Sequence, residues 1–340
     1  MTTFMFDHAS ETLHFTKNWQ QQLAEAFNNI EELCQYLHLS IKDLPVSTEA
    51  SQTFALRVPL SFAASMQKGN PNDPLLRQVL PLKDELNRAI DFIDDPVGDL
   101  AAITQPGVLH KYHGRVLFIN TGSCAINCRY CFRRNFPYAD SQLSKQHEKN
   151  GLEYIATHTD ITEVILSGGD PLLLSDTRLK ALFEQLNAIK HVKRIRIHTR
   201  LPIVLPARMT DSLVKIFTQS RQPVVMVVHC NHAQEINARV QEGFTVLRQA
   251  GISVFNQSVL LRGVNDQVAV LSELSETLFN FGVVPYYLHV LDKATGTGHF
   301  DVPEAKALEL LKELQTRLPG YLVPKLVKEV AGGVSKERLV

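Results

Sequence analysis

The chain has 340 residues, 44% of them apolar, which is enough to bury a full core, and its 35 Lys and Arg balance 35 Asp and Glu. Zero net charge removes the electrostatic reason to expect a nucleic-acid or membrane-surface protein, and no apolar run approaches the roughly 20 residues of a membrane span. An odd cysteine count of 5, three of them crowded together, and an N-terminus without a basic-then-apolar leader predict reduced thiols in a cytoplasmic protein acting on small molecules.

Residues 19–27 and 30–39 carry apolar side chains at three and four spacing and read as helices, with Cys34 on an apolar face. Gly69, Asn70, Pro71 and Pro74 break any helix before a short one resumes over 75–80, and 94–98 is another loop. These segments predict a mostly helical extension over 1–105. From Val116 onward, short β-branched or apolar runs fall at 116–120, 163–166, 194–199, 224–229, 254–261 and 285–291. They alternate with amphipathic stretches at about 148–158, 176–189, 210–219, 233–249, 266–280 and 303–317. Ser175 or Asp176 caps the second stretch, Thr210 and Asp211 the third, Asn265 and Asp266 the fifth. Such strand–helix units predict an α/β fold, a parallel sheet bent by right-handed crossovers into a partial (β/α)6 TIM-like barrel over 106–302. Its chemistry belongs on the loops after the strand C-terminal ends, and 303–340 supplies the last barrel helix and a C-terminal tail closing the active site.

Cys124, Cys128 and Cys131 follow the first run at C-x3-C-x2-C spacing. Three thiolates this close reach three corners of one [4Fe-4S] cluster and leave its fourth iron open for chemistry. The competing reading is a structural zinc site closed by Cys34, Cys230 or a histidine, in a module that binds RNA or protein through Arg129, Arg133 and Arg134. Ser167, Gly168, Gly169 and Asp170 follow the second run, where the glycines let backbone approach a ligand and Asp170 supplies an anion; a plain strand-to-helix turn uses the same residues. Lys336, after Gly332 and Gly333, has the chemistry to hold an aldehyde cofactor, of which pyridoxal phosphate (PLP) is the usual one; a solvated tail is the alternative.

The cysteine spacing, with Tyr130 before its last member, resembles the radical S-adenosylmethionine (SAM) enzymes. Residues 57–59, 72–81, 124–134, 167–173, 199–202, 229–232, 256–266, 285–288 and 320–336 resemble, in this order, the lysine 2,3-aminomutases. The brevity of the chain resembles the branch that makes (R)-β-lysine for modification of elongation factor P. This likeness implies that Cys124, Cys128 and Cys131 bind the cluster. It implies that Tyr130 and the turn of Ser167, Gly168, Gly169 and Asp170 hold SAM, and that Lys336 holds PLP. Lys111, Tyr112 and Arg115 then surround the PLP phosphate, although the family often has arginine at the position of Lys111. Arg133 pairs with the substrate carboxylate, while Asp292 and Glu329 receive its ε-ammonium; aspartate is commoner where Glu329 stands.

The implied activity is an isomerase that moves the α-amino group of L-lysine to the β-carbon, using a cluster reduced by an external electron donor. Another amino acid is the rival substrate, but two carboxylates facing a substrate's own carboxylate would repel it, so Asp292 and Glu329 favour a cationic side chain.

Overall fold

The computed structural model describes residues 14–87, 89–138 and 145–339. The first thirteen positions of the expected extension lie outside the described residues. Within that extension, α1 (Trp19–Ala24) and α2 (Ile30–Tyr36) form where helices are expected, each opened by an asparagine: Asn18 accepts from the Gln21 amide, and Asn29 from Glu31 and Glu32. Both end three residues short of the apolar pattern.

Ten strands lie side by side in sequence order: β1 (Ile103–Gln105), β2 (Val108–Tyr112), β3 (Arg115–Thr121), β4 (Glu163–Gly168), β5 (Arg194–Thr199), β6 (Val224–Val228), β7 (Ser253–Val259), β8 (Val283–His289), β9 (Lys325–Lys328) and β10 (Glu337–Arg338). The pairs from β3 to β9 are parallel, and β1, β2 and β10 join antiparallel at the two edges. All six expected strands are present, which is the expected partial barrel. The last begins earlier than its apolar run suggests, because Val283 and Val284 pair with Val254 and Phe255 before Pro285 meets Asn256 beside a bulge.

Between the strands run α3 (Lys145–Thr157), α4 (Asp176–Ala188), α5 (Asp211–Thr218), α6 (Ala238–Gln249) and α7 (Val268–Asn280), and α8 (Glu304–Arg317) follows β8. Ser175 and Thr210 cap α4 and α5 as expected, accepting from Arg178 and Leu213 amides. Two expectations are corrected. The stretch at 233–249 is divided, a 3-10 turn over Ala233–Glu235 preceding α6, whose cap is Asn237. Asn265 and Asp266 do not cap α7, which starts after Gln267 without a side-chain cap. Asn265 is instead fully buried, bonding the carbonyls of Asn231 and Val259 and the amide of Leu261, while Asp266 accepts from Gly263.

Outward-facing Val116, Phe118, Val164, Leu166, Ile195 and Ile197 pack against Leu152, Ile155, Leu179, Leu182 and Leu186 in one buried cluster. Each such side chain contributes about 1.5–3 kcal/mol on burial. Gly151 lets α3 press onto the sheet, since a Cβ there would lie 2.6 Å from the Phe118 ring. A second cluster, with Leu288, Leu310, Leu314, Leu326 and Leu339, secures the C-terminal end. Leu339 donates its amide to Leu326 at 3.0 Å, so the tail is pinned rather than frayed.

Candidate active site

The cysteine loop leaves the C-terminal end of β3 and is held from below by the N-terminal extension. Asn127 donates its amide to the Arg57 carbonyl at 3.0 Å and Arg129 its amide to the Gln78 carbonyl at 2.8 Å. The Arg129 guanidinium is wholly buried; it meets Glu85 at 2.8 and 2.5 Å and the carbonyls of Ala50 and Phe54. Arg134 shares Glu85 at 2.8 Å. These two arginines are therefore a buried staple and not the surface patch of the nucleic-acid reading; breaking a pair of this kind costs about 3–5 kcal/mol.

Cys124, Cys128 and Cys131 are half-buried residues whose thiols interact with one another, whereas Cys34 and Cys230 are buried in the core. Burial, reinforced by Cys128, pushes the Cys131 thiol up to about 11; burial and then Cys131 and Asp170 push Cys124 up as well. Binding a metal centre would release those protons, since thiolates are the ligating form. Arg200 Nη1 donates to Cys128 Sγ at 2.7 Å, while its Nη2 donates to Glu235 and Gln78. Among the described residues no three His, Cys, Asp or Glu side chains converge on a single ion. Three soft sulfur donors from one loop suit a multi-iron cluster with one thiolate per iron.

Tyr130 packs edge-on to Phe300 and its hydroxyl accepts from Asn231 at 2.7 Å. At the turn after β4 the glycines serve a purpose beyond that expected from sequence. Gly168 has φ of 111°, and a Cβ on Gly169 would lie 2.2 Å from the Ser123 carbonyl oxygen. The turn thus lies directly on the cysteine loop, with Asp170 donating its amide to that carbonyl at 2.8 Å. The Asp170 carboxylate, expected as a free anion, is spent internally on the hydroxyl of Thr199 and the amides of Leu172, Arg200 and Leu201. Burial raises its pKa against the pull of those donors. Ser167 is buried beside it.

The tail brings Lys336 back over the barrel mouth. Lys336 Nζ lies 2.6 Å from Glu329 Oε2, Glu329 Oε1 lies 3.2 Å from Lys111 Nζ, and Lys111 lies 2.6 Å from Asp99 Oδ1. Asp99 Oδ2 in turn meets Arg133 Nε at 2.6 Å. Five charges of alternating sign therefore join residues separated by up to 237 positions. Burial favours the neutral form of Glu329, but Lys336 and Lys111 outweigh it and hold the carboxyl at about 2. Asp292 shares the region; burial, partly opposed by Lys336, raises it to about 7.

Lys111 also donates to the Val97 carbonyl at 2.7 Å. With Asp99 and Glu329 this occupies all three ammonium donors, so Lys111 acts here as a bridge and not as an open phosphate donor. Tyr112 and Arg115 face each other across the β2–β3 turn, the guanidinium 4.8 Å from the ring centre. They stand at the opposite end of β3 from the cysteines. Between these ends lie groups that sequence reasoning passed over: the buried Nε of Arg196 and the Nε2 atoms of His198, His229 and His289 have no hydrogen-bond partner among the described residues. Burial, with nearby Arg and Lys charges, holds His229 at about 3 and keeps His198 and His289 neutral too. Orphaned polar atoms of this kind fit a polar ligand filling the barrel.

A family profile described as the Radical SAM superfamily matches residues 119–274, from the end of β3 to within α7. Barrel and cysteine loop thus define a radical SAM protein. L-lysine 2,3-aminomutase of Escherichia coli is 48% identical over 324 residues, 95% of this chain and 94% of that one. The chain belongs to the lysine 2,3-aminomutase family. The Haemophilus influenzae relative of the same name is 44% identical, covering 94% and 95%, and that of Clostridium subterminale 34%, covering 94% and 77%. The solved structure of Streptococcus suis SuiB bound to S-adenosylmethionine aligns with a TM-score of 0.47 and 14% identity, over 68% of this chain and 53% of that one.

Proposed function

We propose that the protein is a PLP-dependent isomerase converting L-lysine to β-lysine. The observation that carries this reading is the chain of alternating charges that starts at Lys336 and runs through Glu329, Lys111 and Asp99 to Arg133, with Asp292 in the same region. A site so charged suits an amino acid with a cationic side chain, its carboxylate on the planar fork of Arg133 and its ε-ammonium on Asp292 and Glu329. When bound, the cluster and SAM supply a carbon radical for hydrogen abstraction, and PLP supplies a conjugated carbonyl that lets an amino group shift between adjacent carbons.

Cys124, Cys128 and Cys131 would hold the cluster, with Arg200 donating to one sulfur. Tyr130 and the turn of Ser167, Gly168 and Gly169 would hold SAM through ring and backbone, Asp170 fixing the turn. Lys336 would anchor PLP, and Arg115 with Tyr112 would take its phosphate once Lys111 is committed elsewhere. In this reading the described residues of 1–105 clamp the cysteine loop, those of 106–302 form the reaction chamber and those of 303–340 close it. The R configuration of the product, and its supply for modification of elongation factor P in the cytoplasm, rest on the likeness to the short relatives; the chain covers 94% of the Escherichia coli protein but 77% of the Clostridium one. Anaerobic incubation with lysine, SAM, PLP and a reductant should yield β-lysine by chiral chromatography. Unchanged lysine from enzyme carrying a full cluster and PLP refutes the reading.

Asp292 gives this assignment a pH signature. A carboxyl titrating at about 7 in the unliganded enzyme is protonated below that pH and cannot receive an ammonium. We expect kcat/KM for lysine to fall roughly tenfold per unit as pH drops below about 7, and this limb to vanish in Asp292→Asn at a lower plateau. An identical profile in the variant would remove Asp292 from the substrate site.

A further inference from the structure

We infer that Asp99 is a positioning residue for the substrate carboxylate, acting by fixing the orientation of Arg133; this rests on the carboxylate role proposed for Arg133 above. Asp99 lies in a loop preceding β1 and is 2% exposed. Its own loop holds it rigidly, since Asp95 accepts from the Asp99 amide at 2.8 Å and from the Leu100 amide at 3.0 Å. The loop also abuts the tail: a Cβ on Gly98 would lie 3.1 Å from Ala331 Cβ, and Gly98 has φ of 67°, so glycine fits here on both counts. Asp99 thus stands where the cysteine loop, β2 and the tail meet.

The division of labour within the Arg133 guanidinium carries the argument. Its Nε is tied to Asp99 Oδ2 at 2.6 Å, while its two terminal nitrogens have no acceptor among the described residues. A guanidinium fastened through Nε cannot rotate about its own stem, and the remaining edge is the bidentate face that matches a carboxylate. The charge of that arginine also contributes to keeping the buried His198 and His229 neutral. The second Asp99 oxygen fixes Lys111, so one carboxylate sets both cations that flank the amino-acid end of the proposed site. Asp99 meets Arg133 directly, whereas it reaches the ammonium-binding end only at second hand, through the Lys111–Glu329 pair.

That asymmetry supplies the test. On the holoenzyme, Asp99→Asn keeps the shape and one acceptor but loses the charge that fixes Arg133. We expect KM for lysine to rise about tenfold, a loss of about 1.4 kcal/mol in binding, with kcat within about threefold of the parent, the pattern of lost uniform binding. Pentane-1,5-diamine, which is lysine without its carboxylate, should lose far less than lysine does, its inhibition constant staying within about threefold of the parent because Asp99 reaches Glu329 only through Lys111. Asp99→Glu keeps the charge but displaces it, and should show the same split with an unchanged melting temperature, which covers failure of the Asn variant to fold. Equal weakening of lysine and the diamine, or unchanged KM in both folded variants, overturns the proposal. Arg133→Ala separates the two levels: if it leaves KM for lysine unchanged, the Arg133 reading itself fails and takes the role of Asp99 with it; if it raises KM while the Asp99 variants do not, only the role of Asp99 fails.

Discussion

Lys336→Ala should abolish both the PLP imine absorbance and the aminomutase reaction while iron content and SAM binding stay at parental values. Three features make this separation sharp. Lys336 precedes the two-residue strand β10, which pairs with β9, so the backbone stays in place when the side chain is removed. Among the described residues its ammonium pairs with Glu329, far in sequence from the cysteine loop. Free PLP could still be drawn to Arg115 through its phosphate but would lack the covalent tether that speeds exchange with substrate. Borohydride trapping and peptide mapping of the parent decide the matter, because a pyridoxyl label on any other lysine removes Lys336 from the role. Glu329→Gln should trap PLP at Lys336 all the same, since the pair is a resting contact and not the tether.

Cys124→Ala, Cys128→Ala and Cys131→Ala should each reduce anaerobically reconstituted iron from about four per chain to near zero, with loss of all turnover. Cys34→Ala and Cys230→Ala should keep it. The contrast follows from surroundings: the three loop thiols face one another near the mouth, whereas Cys34 is buried in α2 with its thiol pushed up to about 11 by burial and then Glu31. Cys230 lies under the turn that follows β6, with its amide on Asn256. Full iron in Cys128→Ala, or iron loss in a folded Cys34→Ala, contradicts the assignment.

The alternation of apolar runs and amphipathic stretches was legible because barrel strands buried on one side by helices have a period that survives in the chain. β1, β2, β9 and β10 were not, since pieces of two to five residues at a sheet edge are too short to show a period. Asn265 shows a different limit. Its residue type announces a helix start, yet three hydrogen bonds to the turns after β6 and β7 outweigh one cap. At the site, clustered residues were readable where the chain itself brings them together, as with the cysteines and the Gly-Gly turn. Asp99 was not, because an acid in a loop carries no local mark, and its partners are 12 and 34 residues onward. Glu85 escaped for the same reason: its meaning appears only when Arg129 and Arg134 fold onto it.

The contact between Gly169 and Ser123 makes the two loops a ruler. The spacing between the cysteine loop and the turn after β4 is one backbone hydrogen bond wide, with no room for a methyl group. A Cβ at position 169 meets the backbone of Ser123 first, so it must push Ser123 and with it the neighbouring Cys124. Damage to the metal centre can therefore originate at a residue with no donor atom to offer, and surveys of the site that count only sulfur would miss it.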